Sequence, residues 1–110
     1  MSLKKSFKLT GFQRDILFVI AGSDQPSGQT IRRKLEKHIK NVNRGRLYPN
    51  LDALAEYSLI EKGNHDQRTN YYELTESGVK LISERVKWEN KYLSDSLKIE
   101  RVNAAGLSAN

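Results

Sequence analysis

The sequence predicts a mainly α domain with one small β-hairpin, an α+β fold that closes on a long helix. Three observations carry this expectation. Apolar residues recur at helical spacing in three short stretches before Tyr57, the period shortens to that of strands between Leu59 and Leu74, and a last helical stretch runs without proline to about Lys98. A chain of 110 residues holds one compact core, with room for an extension but not for a second core.

Residues 1–9 carry Lys4, Lys5 and Lys8 and are expected to form a flexible basic segment. Thr10-Gly11-Phe12-Gln13 reads as a capping box, in which a Thr hydroxyl and a Gln amide three residues later satisfy each other's free backbone donors. Phe12, Ile16, Val19 and Ile20 follow at helical spacing and Gly22 offers a stop, so the first predicted helix covers about 11–21. Ser23-Asp24-Gln25-Pro26-Ser27-Gly28 is a turn cluster, with Ser23 or Ser27 free to cap what comes next. Ile31, Leu35, Ile39 and Val42 mark a second stripe, predicting a helix over about 28–38. After a break at Asn41-Val42-Asn43-Arg44-Gly45, Leu47, Leu51, Leu54 and Ala55 begin a third. Two short helices about such a break make a helix-turn-helix.

Leu59–Lys62 and Thr69–Leu74 are rich in strand formers and flank a polar loop from Gly63 to Arg68, which predicts a hairpin with a charged tip. Thr75-Glu76-Ser77-Gly78 restarts a helix that is expected over 76–98. It carries two apolar stripes. Val79, Ile82, Val86, Leu93 and Leu97 lie near a heptad seam, and Leu81, Trp88 and Tyr92 follow a neighbouring face. One face can pack on the domain and the other calls for a second chain, so Leu81, Val86, Trp88, Tyr92 and Leu93 are the expected dimer contacts. Residues 99–110 show no period and are expected to be frayed.

Composition narrows the function. With 37% hydrophobic and 29% charged residues the chain is too apolar for a disordered tail, and its longest apolar run, Ile16–Ala21, falls far short of the ~20 residues of a membrane span. No secretory signal is visible behind the basic amino terminus, and cysteine is absent, so a cytoplasmic protein without disulfides is expected. His38 and His65 form no ligand motif, and neither a phosphate-binding glycine loop nor a nucleophile elbow occurs. No catalytic residue, metal or cofactor is therefore expected, and neither is enzymatic activity. The net charge of +6 is uneven: residues 1–50 hold eleven Lys or Arg against three carboxylates, the other sixty eight against ten. A basic half beside a near-neutral one suggests a polyanion-binding face next to a region with another task.

Three strings sharpen this reading. Gly45-Arg46-Leu47-Tyr48-Pro49-Asn50-Leu51-Asp52-Ala53-Leu54 resembles the Gly-x-Leu-Tyr-Pro-x-Leu-x-x-Leu string of the PadR family of transcriptional regulators, with Arg46 where a small or hydroxylated residue is usual. Tyr57-Ser58-Leu59-Ile60-Glu61 is similar to that family's helix-to-strand exit, and Tyr71-Tyr72-Glu73-Leu74-Thr75-Glu76-Ser77-Gly78 to its wing-to-helix string. The resemblance covers about residues 10–90. It implies a winged helix-turn-helix over 10–75, a recognition helix in the major groove of double-stranded DNA, a wing near the minor groove or backbone, and a homodimer held by the last helix.

On that reading Arg44, Arg46, Tyr48 and Asn50 stand at the amino-terminal end of the recognition helix, where side chains reach base edges. Arg46 is the expected base reader, with Arg44 and Tyr48 on the backbone or groove edge. Arg32, Arg33, Lys34, Lys37 and Lys40 either neutralise phosphates or form a solvated face. His65, Gln67, Arg68 and Asn70 are the wing's candidates for backbone or minor-groove contact. Trp88 is expected to be a packing anchor. The expected function is a sequence-specific regulator, a repressor on an inverted-repeat operator, and the alternative is a winged-helix module that binds another protein.

Overall fold

Residues 2–93 are described in the computed structural model, in the order α1 (Ser2–Lys8), α2 (Gly11–Ala21), α3 (Gly28–Glu36), α4 (Arg44–Glu56), β1 (Ile60–Asn64), β2 (Asn70–Leu74) and α5 (Glu76–Tyr92). Helices α2 to α5 each start on a side chain that accepts from the third residue after it: Thr10, Ser27, Asn43 and Thr75. Each such cap contributes about 1 kcal/mol and sets where its helix begins. At Thr10 the box is reciprocal, since the Gln13 side chain accepts from the Thr10 N–H at 3.0 Å.

The core collects the expected stripes. Ile16, Leu17 and Ile20 of α2 meet Ile31 and Leu35 of α3, Leu47, Leu51 and Leu54 of α4, and Leu59, Ile60 and Tyr72 of the hairpin region. Val42, expected to continue the stripe of the second helix into the break after it, lies in that turn and is buried. That turn reverses through Asn41, whose φ of 64° is a left-handed conformation that Asn tolerates better than most residues.

The hairpin is antiparallel, with Ile60 opposite Leu74 and Asn64 opposite Asn70. Its inner edge is closed by the segment before α3: the Tyr72 N–H donates to the Pro26 carbonyl at 2.9 Å and Ser27 bridges to Tyr71. Gly63 has a purpose here, because the Tyr71 ring opposite occupies the space that a β-carbon would need. Entry into α5 is tight as well. The Thr75 N–H donates to the Leu59 carbonyl at 3.0 Å, the Thr75 hydroxyl donates to the Ser58 carbonyl at 2.6 Å, and Gly78 lies against the Leu59 carbonyl.

Two expectations are corrected. Residues 2–8 are not a flexible segment but a helix docked on α5: the Leu3 N–H donates to Glu84 Oε1 at 2.8 Å, buried Ser6 faces Arg85, and the Phe7 and Trp88 rings meet edge to face at 4.9 Å. Arg14 of α2 donates to the Ser6 and Leu9 carbonyls at 3.0 and 2.7 Å, which satisfies the end of α1 where a helix concentrates negative potential. Leu81 is the second correction. It is 1% exposed in the single chain, a member of the domain core, and has no surface left for a partner. Trp88 is half-buried between Phe7 and Tyr92, whereas Val79, Tyr92 and Leu93 are exposed. Helix α5 is described to Tyr92, and the expected residues 94–98 of the helix and the tail 99–110 lie outside the described residues.

Candidate nucleic-acid interface

Asn43 places the start of α4. Its side-chain oxygen accepts from the Arg46 N–H at 2.9 Å, so the first turn of the helix is presented at the surface with Arg44, Gly45 and Arg46 all exposed. With Leu47, Leu51 and Leu54 buried, helical geometry leaves Gly45, Pro49 and, further along the helix, Asp52 and Glu56 along the outward ridge. The longer side chains project to its two flanks. Arg44 and Tyr48 lie on one, Arg46 and Asn50 on the other.

The first flank opens into a cleft of about 290 Å³ between α3, α4 and the wing. Arg44 and Tyr48 line it from α4, Arg68, Thr69 and Asn70 from the wing, and Ser27, Gly28 and Gln29 from the start of α3, with no carboxylate among its lining residues. Gly28 lets α4 come close, since the Tyr48 hydroxyl sits where a β-carbon would project. The Arg44 guanidinium rests 5.1 Å from the Tyr48 ring centre. Tyr72 forms the buried floor. Burial raises its phenol above the ordinary tyrosine value, with Tyr48 and Asp52 adding to the effect, so it is a neutral hydroxyl at physiological pH.

The wing is held in shape by its own loop. One carboxylate oxygen of Asp66 accepts from the Arg68 and Thr69 N–H groups, both at 2.8 Å, and these backbone donors lower its pKa. Arg68 is thereby carried by a closed turn that faces the cleft. His65 turns back instead, with Nε2 3.2 Å from the Gln25 carbonyl and its ring tilted at 42° against that of Tyr71, the centres 4.7 Å apart. Gln67 is exposed at the tip.

Not every expected residue joins the cleft. The Arg46 guanidinium lies over the Phe12 ring of α2, 3.9 Å from its centre. Asn50, a residue type suited to reading adenine, has both ends of its amide engaged: Oδ1 accepts from Gln13 Nε2 at 3.1 Å and Nδ2 donates to the Arg46 carbonyl at 2.8 Å. On α3, Arg32 pairs with Glu36 at 3.2 Å and Arg33 stands exposed beside Thr30. Lys34 reaches back to the Ser23 hydroxyl at 2.8 Å, on the side of α2 and away from the cleft. Lys37 and Lys40 are exposed in the connection to α4. Ser27, Gly28 and Gln29 are site residues that sequence reasoning missed. Their signal is visible only as a cap and turn, because their contact with Tyr48 is a tertiary one.

The three helices α2 to α4, a hairpin braced on the turn before α3, and a basic cleft between α4 and the wing define a winged helix-turn-helix protein. The sequence profile of the PadR-like family of transcriptional regulators matches residues 16–84, and the chain belongs to that family. It is therefore a DNA-binding transcriptional regulator and not an enzyme. Solved structures agree. A complex structure of RosR is 38% identical over 86% of this chain and 84% of its own, with a TM-score of 0.80. RosR of H. salinarum grown from NaBr is 43% identical over 79% and 80%, with a TM-score of 0.72. The fold alone extends to Staphylococcus aureus MarR in complex with salicylate and kanamycin, which is 19% identical over 94% of this chain and 67% of that one, at a TM-score of 0.72. None of the curated proteins is significantly similar in sequence.

Proposed function

We propose that the chain acts in the cytoplasm as a homodimeric repressor that seats α4 in the DNA major groove and holds a backbone strand in the cleft between α4 and the wing. The convergence of Arg44 and Arg68, from elements far apart in sequence, on one cleft free of carboxylates carries this reading. Phosphate contacts of this kind position a protein without reading sequence, and Arg is suited to them because its planar donors match phosphate oxygens. Two half-sites related by the dimer axis then make the operator an inverted repeat, with centres about 34 Å or a multiple apart. Val79 and Tyr92 of α5, with Leu93 just after it, leave exposed apolar surface that supports a second chain as the partner.

Salt titration tests the assignment. Removing one phosphate contact should lower the slope of log affinity against log salt by about 0.9 on B-DNA, so Arg44→Ala and Arg68→Ala should each flatten the slope and weaken all duplexes alike. Lys34→Ala, whose ammonium faces α2, should leave it unchanged. A salt-independent interaction would favour the protein-binding alternative and defeat the assignment.

A further inference from the structure

We infer that Phe12 is a specificity-positioning residue, whose ring holds Arg46 beside the recognition helix in the one orientation from which it meets DNA. The inference deepens the reading of α4 as the DNA-contacting helix and rests on it. Arg46 is an exposed side chain at the first turn of α4, and its guanidinium sits 3.9 Å from the centre of the Phe12 ring, the closest of the cation–π contacts among the described residues. It makes no ion pair among the described residues.

The choice of an aromatic partner has a chemical consequence. A carboxylate would fix the guanidinium but would cancel its charge and repel phosphate, whereas a ring face restrains it and leaves the charge and the outward N–H donors available. A free Arg side chain loses rotamer entropy when it is ordered at an interface, so part of that ordering is already present before DNA arrives.

The ring itself is anchored. Phe12 packs against the hydrophobic core and stands inside the Thr10–Gln13 capping box. The next residue, Gln13, donates to Asn50, which in turn donates to the carbonyl of Arg46. Side chain and backbone of Arg46 are thus both referred to the first turn of α2. Neither Phe12 nor Gln13 need touch DNA, and both act through Arg46 and α4.

The test uses the full-length chain and two probes: the duplex most enriched by the wild type from a randomised library, and a scrambled duplex of the same composition. Phe12→Leu keeps apolar bulk against the core and removes the ring face. It should lower discrimination between the two duplexes by roughly two- to fivefold, the range an exposed cation–π contact supports. In an Arg46→Ala background the same substitution should have no further effect, and thermal unfolding should stay near that of wild type. Arg46→Ala that abolishes discrimination while Phe12→Leu leaves it intact overturns the inference but not the DNA reading. A library without an enriched duplex overturns both, whereas Arg46→Ala with wild-type discrimination overturns the inference alone. If Phe12→Leu unfolds the domain, Phe12→Met takes its place, since it also fills the site without a ring face: discrimination lowered to the same extent supports the inference, and discrimination equal to that of wild type overturns it.

Discussion

At the scale of single residues, the tightest constraint among the described glycines is at Gly78. A β-carbon there would run into the Leu59 carbonyl, a backbone atom already held by the Thr75 N–H, so relief requires moving the entry of α5 as a whole. Gly78→Ala should destabilise the fold by about 1 to 3 kcal/mol despite the better helix propensity of Ala, read as a shift in the midpoint of denaturant unfolding. Gly11, whose β-carbon would meet nothing, is the control. The string that carries this glycine is visible in the sequence, but the carbonyl that makes it necessary is not, since Leu59 lies on another element. Asn50 teaches the same lesson from the other side: its position on α4 is legible, and its engagement by Gln13, 37 positions away, is not.

At the scale of elements, local signals are the reliable ones. The box at Thr10, the leucine stripe of α4 and the strand segments each follow from neighbours a few residues apart; the first two appear where expected, and the strands shift by one or two residues, β1 running through Asn64 into the expected loop. Helix α1 escapes because seven residues with two large apolar side chains make too short a period to read, and its stability comes from Arg14 at its end and Arg85 and Trp88 beneath it. The wing gives this scale its prediction. Since the carboxylate of Asp66 has a lowered pKa in the folded loop, its contribution is present above the ordinary carboxylate value of about 3.9 and is lost as pH falls through the lowered one. The Arg68 and Thr69 amides should therefore keep their chemical shifts to below that value and change together when Asp66 protonates. A midpoint at or above the ordinary value would show that the loop is not held this way.

At the scale of the molecule, the proposed dimer requires the exposed part of α5. Tyr92 is 60% exposed in the single chain and makes no contact with the core, so Tyr92→Glu should leave the fold intact while placing a charge in the interface. Sedimentation should show wild-type dimers and variant monomers, with operator affinity falling in step because two half-sites are no longer linked. A variant that stays dimeric would move the interface elsewhere. The wing poses a different problem of self-contact. Because Pro26 closes the β2 side of the hairpin, its one open margin among the described residues is β1, where unpaired backbone groups could template the strand of another copy. Glu61 and Lys62 stand exposed along that margin and Gly63 interrupts it. Pairing with another copy would bring both charged side chains and a side-chain-free glycine to a strand of only five residues, so the edge is a poor template for fibre-like aggregation at the very element the domain holds out to solvent.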